Sequence, residues 1–223
     1  MTLDATSTSA GSPPPVRPLG TRAAVGVRLF RAVSARLVVP FLRSGLGAWI
    51  ASPIGGYLLL LRVRGRRTGK DRFVPLSYLI KDGTIWVTGA GEGASQWHQN
   101  LLAEPAAGVT LPGHHSWLEV VAETVTDAEV RAAVLPKLAR AMGIPALGSG
   151  TNPWRAPAET VVAAFEGLPL VALRAADGSP IEAGPDDPGG GLWILRQGLI
   201  LGAVIVALRA AIGVVKRALG FGW

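Results

Sequence analysis

Two arginines and a threonine stand between two glycines at Gly65-Arg66-Arg67-Thr68-Gly69. Glycines at both ends permit a tight turn with positive φ. Between them, two guanidiniums, a hydroxyl and backbone N–H groups form a donor set suited to a phosphate-bearing ligand. A charge-assisted Arg–phosphate contact contributes ~1.5–3 kcal/mol, so two would raise affinity ~100-fold or more. A basic, glycine-flanked turn also serves simply to keep a strand connection soluble. The loop carries chemistry only if a partner site lies beside it.

Candidates for that partner follow downstream. Arg72, Pro75 and Leu76 sit on the segment after the loop, where Pro75 points to an edge position with its missing N–H turned outward or toward a ligand. Gly89-Ala90-Gly91-Glu92-Gly93-Ala94 formally matches the dinucleotide fingerprint G-x-G-x-x-[GA]. That fingerprint should open a βαβ unit, with an acidic residue ~20 positions on, and here it sits late in an antiparallel run. A glycine-rich edge that lets backbone approach a flat ring is the better reading. Trp97 and Asn100 share a helical face at i, i+3, although a tryptophan there also suits core packing.

Other kinds of chemistry find little purchase. The chain has no cysteine, which removes disulfides, iron–sulfur centres and thiolate catalysis. It holds no G-x-S-x-G elbow and no H-E-x-x-H pair. His114 and His115 are adjacent and would point to opposite faces of a strand. His98, beside Trp97, is a candidate acid for protonating an acceptor. No metal site is expected.

The 223 residues are enough for one good core plus appendages, and a net charge of +7 favours an anionic partner: nucleic acid, acidic lipid or a polyanionic coenzyme. Nucleic acid is disfavoured, because the basic residues are not interleaved with exposed aromatic platforms. Residues 1–20 are rich in Thr, Ser and Pro, lack the order of a secretory signal and read as a disordered tail. From Thr21 to Ile50 five arginines alternate with apolar residues in a helical pattern interrupted at Pro40, which fits a basic helix lying on the domain or on an acidic membrane.

Strands are expected at Tyr57–Val63, Phe73–Ile80, Thr84–Thr88, Gly108–Leu111, Trp117–Thr124 and Leu168–Leu173, with Asp82-Gly83 as a hairpin turn. Ser95 is positioned to cap a helix running to Glu104. Thr126-Asp127-Ala128-Glu129 forms a capping box for a second helix with a kink at Pro136, and a third starts at Pro157. This order predicts an α+β fold, a small antiparallel barrel or roll with inserted helices, over residues 21–174. Residues 175–191 have linker composition, rich in Gly, Pro, Asp and Ala.

Residues 192–223 form an apolar helix in which Gly198 to Val215, at ~1.5 Å per residue, spans about 27 Å against a ~30 Å hydrocarbon core. Arg209 would cost ~2.5–3.5 kcal/mol at mid-bilayer, less if it snorkels toward Lys216 and Arg217. A membrane anchor is expected. A helix packed on a partner chain, with Gly198 and Gly202 at small-xxx-small spacing, is the alternative.

In order along the chain, Gly65-Arg66-Arg67-Thr68-Gly69, Arg72, Pro75-Leu76, Asp82-Gly83, Gly89 to Gly93, Trp97, Asn100-Leu101, Ala103, Pro105 and Leu168-Pro169-Leu170-Val171 resemble one family. It is the actinobacterial deazaflavin-dependent nitroreductases and quinone reductases, which use coenzyme F-420, an 8-hydroxy-5-deazaflavin. The resemblance covers about Leu46 to Arg174.

It implies a split β-barrel in which Arg66, Arg67, Thr68 and Gly69 hold the phosphate and glutamyl arm of the coenzyme. Arg72 falls on the same motif, and Pro75, Leu76 and Ser77 with Gly89, Ala90 and Gly91 line its ring. Trp97 and Asn100 brace the site. It further implies hydride transfer to an electron-poor small molecule, a quinone or nitroaromatic, with no catalytic side chain.

Two departures bear on the acceptor. Met142 to Arg155 offers Trp154 where the family often carries tyrosines, and Ser77 stands where a larger side chain is common, so a quinone suits the chain better than a nitro group. Localisation at the inner face of the cell membrane follows from the apolar tail. FMN or another flavin in the same barrel, and a non-catalytic basic membrane-binding module, remain the alternatives; the oligomeric state is open.

Overall fold

The computed structural model describes residues 37–89 and 95–218, with side chains through residue 214. The expected N-terminal tail, the first part of the basic helix, and Ala90 and Gly91 lie outside the described residues.

Six strands close into one antiparallel barrel in the order β1-β2-β3-β6-β5-β4. They are β1 (Leu58–Arg64), β2 (Asp71–Lys81), β3 (Thr84–Thr88), β4 (Ala106–Thr110), β5 (Leu118–Val125) and β6 (Leu170–Ala175). The period of two decides what faces inward. On β1, Leu59, Leu61 and Val63 enter the interior with Tyr78, Ile85, Val87, Val171 and Leu173, all at most 1% exposed. Arg62 and Arg64 alternate to the outside. The β2–β3 hairpin turns through Asp82 (φ 52°) and Gly83 (φ 69°), the two positive-φ positions of a type I′ turn.

A second cluster lies against the outer wall. Trp86 and Ala172 are register partners with outward side chains. They meet Val134, Leu135 and Leu138 of one helix (Ala128–Ala141) and Val161 and Phe165 of another (Ala158–Ala164). In chain order the helices are α1 (Val39–Arg43), α2 (Gly47–Ile50), α3 (Gln96–Ala103), α4 (Ala128–Ala141), α5 (Ala158–Ala164) and α6 (Leu192–Ala218).

Several local expectations need correction. The stretch through Ile50 is not one helix interrupted at Pro40. Pro40 occupies the first turn of α1, where a missing N–H costs nothing, and the break falls at Gly45, in the left-handed region at φ 75°. Ser95 makes no side-chain capping bond to α3. Asp127, not Thr126, caps α4 by accepting from Val130 N at 2.8 Å. The helix then runs on through buried Pro136, and the carbonyl deprived of its partner belongs to Ala132, an exposed residue. A 3-10 turn, Ile144–Ser149, had no separate signal.

The stretch from Ala175 to Gly191 has a linker's composition but not a linker's contacts. Ile181 N donates to Gly83 O, and its side chain joins the barrel core. Asp187, only 2% exposed, accepts from the Tyr78 hydroxyl and from Gly184 N. The strap therefore closes one end of the barrel before α6 begins, with Arg196 of α6 paired to Asp186. Burial raises the Asp187 carboxyl above its ordinary value, opposed by the Tyr78 and Gly184 bonds and by His114, and reinforced by Asp186.

The buried hydroxyl of Tyr57 has no hydrogen-bond partner among the described residues. Burial and the neighbouring Asp187 raise both tyrosines.

Because the folded Asp187 holds its proton more tightly than the unfolded one, its contribution to stability is greatest in acid. That contribution falls as pH rises from 3.8 through the raised value. Asp187→Asn is expected to flatten this part of the pH profile in urea melts. Asp187→Ala strands the Tyr78 hydroxyl and costs about 1–3 kcal/mol. A wild-type profile with no fall over that window would show the carboxyl to be unperturbed.

Candidate functional site

The basic loop joins β1 to β2 and is folded largely upon itself. Gly65 N donates to Lys70 O at 2.9 Å, while Thr68 N and Gly69 N both donate to Gly65 O, at 3.1 and 2.7 Å. These three backbone donors bond inside the turn. The two glycines also differ in their reasons. Gly69 supplies the positive φ, at 63°. A Cβ on Gly65 would lie 3.1 Å from both Lys70 O and Thr68 Oγ1 and 3.5 Å from Arg72 Nε, so that position is restricted by close packing.

One contact set ties the loop to the helix after the glycine segment. Asn100 Oδ1, buried on α3, accepts from Arg66 N at 3.2 Å and from Arg66 Nη1 at 3.1 Å. The same guanidinium nitrogen reaches Gln96 Oε1 at 3.2 Å. Gln96 escaped the sequence reading, though its i, i+4 spacing from Asn100 places both amides on one helical face. Arg64 Nε lies 3.9 Å from Glu104 Oε2 at the end of the same helix.

Arg67 is exposed and has no hydrogen-bond partner among the described residues. Between Arg64 and Arg72 the chain carries five cations, Lys70 among them, against the single carboxylate of Asp71. In this short stretch a multiply charged anion meets a concentrated positive field.

Beside the loop the barrel is split. Asp71 to Ser77 of β2 pair only with β1, because β3 takes up β2 from Tyr78 onward. Pro75 sits on this one-sided stretch opposite Leu60, where its missing N–H breaks no ladder on the open side. Pro75 and Ser77 are half-buried and share the outward face. Leu76 alternates inward and belongs to the barrel core, so only its backbone faces the split. Gly89 follows β3, and a Cβ there would lie 3.1 Å from Ser95 Oγ and 3.6 Å from the Pro169 ring.

Trp97 is also a core residue, packed with Leu101 into the interior cluster while Asn100 reaches the loop. The structure thus brings Arg66, Asn100 and the loop together, with Pro75 and Ser77 on the neighbouring wall.

His98 lies elsewhere. Its Nε2 is 2.9 Å from Thr124 Oγ1 of β5, on a different helical face from Gln96 and Asn100. Burial lowers its pKa, which favours the neutral ring. An acid role for His98 at the basic loop is therefore not supported by its position. Two surface concavities, about 670 Å³ between α4 and α5 and about 410 Å³ between α2 and α6, also lie away from the loop.

Asn100→Ala removes both bonds to Arg66. It should cost about 1–3 kcal/mol, at ~0.5–1.5 kcal/mol per bond, and hasten amide exchange at Arg66. Unchanged exchange at that amide would show that the loop holds its shape without α3.

A search of curated proteins finds no match. Among solved structures, the chain resembles an F-420-H2 dependent reductase at 20% identity and TM-score 0.36, covering 52% of this chain and 91% of the other. A conserved hypothetical protein from Mycobacterium tuberculosis matches at 18% identity and TM-score 0.38, covering 60% and 79%. A putative 5-nitroimidazole antibiotic resistance protein from Bacteroides thetaiotaomicron matches at 11% and 0.36, covering 54% and 74%. Identities and scores this low say nothing about the chemistry of this chain.

The family comparison is the informative one. A family model described as F-420H(2)-dependent quinone reductase matches residues 34–143, the segment that contains the basic loop, the one-sided stretch of β2 and the helix of Asn100. That segment, 110 of the 223 residues, is of the F-420H(2)-dependent quinone reductase type, a family of oxidoreductases whose coenzyme is F-420.

Proposed function

We propose that this chain reduces a quinone with reduced coenzyme F-420, with nitroaromatics as a second class of acceptor, and that α6 attaches the barrel to the cytoplasmic membrane. The observation that carries the reading is the fastening of Arg66 to Asn100, which holds a dense cationic loop beside the open edge of β2.

The residues present fit the coenzyme. Its phosphate and carboxylates call for cations free to reach them, and Arg67, Lys70 and Arg72 are exposed around the turn. When bound, the reduced deazaflavin supplies the hydride, so the protein's part is binding, orientation and exclusion of water. Arg67 and Thr68 grip the anionic arm, and Arg66, already held by two amides, sets the direction from which that arm enters. Pro75 and Ser77 form the wall for the ring. The stretch from Met142 to Arg155, which includes the 3-10 turn, holds Trp154 and no tyrosine. A flat apolar acceptor suits such a surface better than a nitro group.

The membrane reading rests on α6. Within Leu192–Val214 an 18-residue window has a mean hydropathy of 2.0 and contains no fully buried residue. At ~1.5 Å per residue the 23 residues of the whole span reach about 34 Å, enough for a ~30 Å hydrocarbon core. A lipid-soluble acceptor would be concentrated where such a helix resides.

The two arginines should separate in their effects. Arg67→Ala is expected to weaken coenzyme binding by ~10- to 100-fold, at ~1.5–3 kcal/mol per contact, with unchanged stability. Arg66→Ala should lose both affinity and stability, and binding to the wild type should weaken as salt rises. Titration followed by absorbance measures this, and unchanged affinity in the double variant would falsify the assignment of the loop. A spectrum characteristic of FMN in co-purified ligand would point instead to an ordinary flavin.

Flotation with vesicles should retain the full chain and release a chain ending at Gly191. Continued flotation of the shorter chain would move the attachment to the basic N-terminal segment.

A further inference from the structure

Leu46, Trp49, Ile50, Ile54, Ile144 and Leu147 are 41% to 61% exposed, high values for large apolar side chains gathered on one surface. Three segments contribute to the patch: Ile144 N donates to Ile54 O at 2.8 Å, and Ile54 shares a groove with Trp49 and Ile50. The patch's Trp49–Ile54 part adjoins the root of α6. Gln197 Nε2 donates to Trp49 O at 3.2 Å, and the groove of about 410 Å³ between them is lined by Trp49, Ile50, Ile54, Trp193 and Ile200.

We infer that this patch is a lipid-contacting face that seats the barrel on the bilayer surface, with Trp49 and Trp193 at the headgroup level. The inference rests on the membrane reading of α6 given above. Its occupant is the bilayer, because the patch is continuous with the first turns of a helix whose apolar surface extends on every side. Tryptophans at the point where such a helix leaves the protein match the aromatic belt of membrane interfaces. The polar residues at the two ends of α6 agree with that depth, with Arg209 between them snorkelling toward Lys216. Arg196 and Gln197 lie in its first two turns, and Lys216 stands twenty positions beyond Arg196 in the sequence, about 30 Å along a helix and equal to the ~30 Å hydrocarbon thickness.

The geometry has a consequence for the site. The patch lies at the Tyr57 end of β1, where Tyr57 N bonds Ala141 O. The basic loop leaves the other end of the strand, about 20 Å away at ~3.3 Å per residue. A barrel seated on this face turns Arg66 and Arg67 toward water, where an anionic coenzyme arrives without competition from acidic lipid.

The chain has no cysteine, so single cysteines can carry an environment-sensitive fluorophore without background. Full-length Ile54→Cys, Val206→Cys and Glu159→Cys would each be labelled and bound to phosphatidylcholine–phosphatidylglycerol vesicles containing a shallow nitroxide lipid. A blue-shifted, quenched signal at both Ile54→Cys and Val206→Cys, with Glu159→Cys unchanged, is the expected result. A lipid signal at Val206→Cys with Ile54→Cys still aqueous overturns the seating face and leaves α6 as an anchor. Aqueous signals at both overturn the anchor and the face together. A blue shift at Ile54→Cys that appears without vesicles and is not quenched by nitroxide lipid assigns the patch to a second copy of the chain and overturns the proposal.

Discussion

The carboxamide oxygen of Asn100 constrains the site more than any other atom in it. In the loop between β1 and β2 the N–H groups of Gly65, Thr68 and Gly69 bond within the turn, and these bonds do not set its angle to the barrel. Asn100 Oδ1 supplies that setting by accepting from both the backbone and the guanidinium of Arg66. The oxygen is placed by Trp97 and Leu101, whose burial in the barrel fixes α3. A polar contact at the surface is thus positioned by apolar packing beneath it, and orienting the loop in advance reduces the ordering cost of binding an anion.

The barrel is closed, yet it leaves one strand half unpaired. β2 is eleven residues long and β3 five, so β3 cannot cover the whole of β2. Pro75 stands in the uncovered part, where its lack of an N–H is harmless and would be costly in a fully paired strand. At the closed end, the strap from Ala175 to Gly191 brings Asp187 onto Tyr78. A buried carboxylate in such a place is weak support for stability. Its value is in holding the strap, and through Asp186 and Arg196 the start of α6, to the barrel.

Two surfaces of opposite character result. The stretch from Arg64 to Arg72 is dense in positive charge, and the α2–α6 side is apolar. The same antiparallel strand, β1, runs between them. Separation by a rigid strand keeps the charges that would bind a coenzyme away from the surface proposed to meet lipid, so the two interactions need not compete.

Much of this was legible in the amino-acid order. Alternation in Leu58–Arg64, the Asp82-Gly83 turn and the uniform hydropathy of Leu192 onward specified strands, hairpin and apolar helix, because each is set by neighbours in sequence. The cationic loop and the one-sided place of Pro75 were equally visible. What the order of residues left undecided was every relation across distance. The inward turn of Leu76 and the 34-residue reach from Arg66 to Asn100 depend on register and on the closure of six strands. So does the docking of a Gly- and Pro-rich strap that reads as a free linker. Local composition measures propensity, whereas burial and hydrogen-bond partnership are assigned only when segments far apart in the chain meet; that is why the tertiary structure alone could tell which glycine turns the loop, which amide holds it and where Asp187 goes.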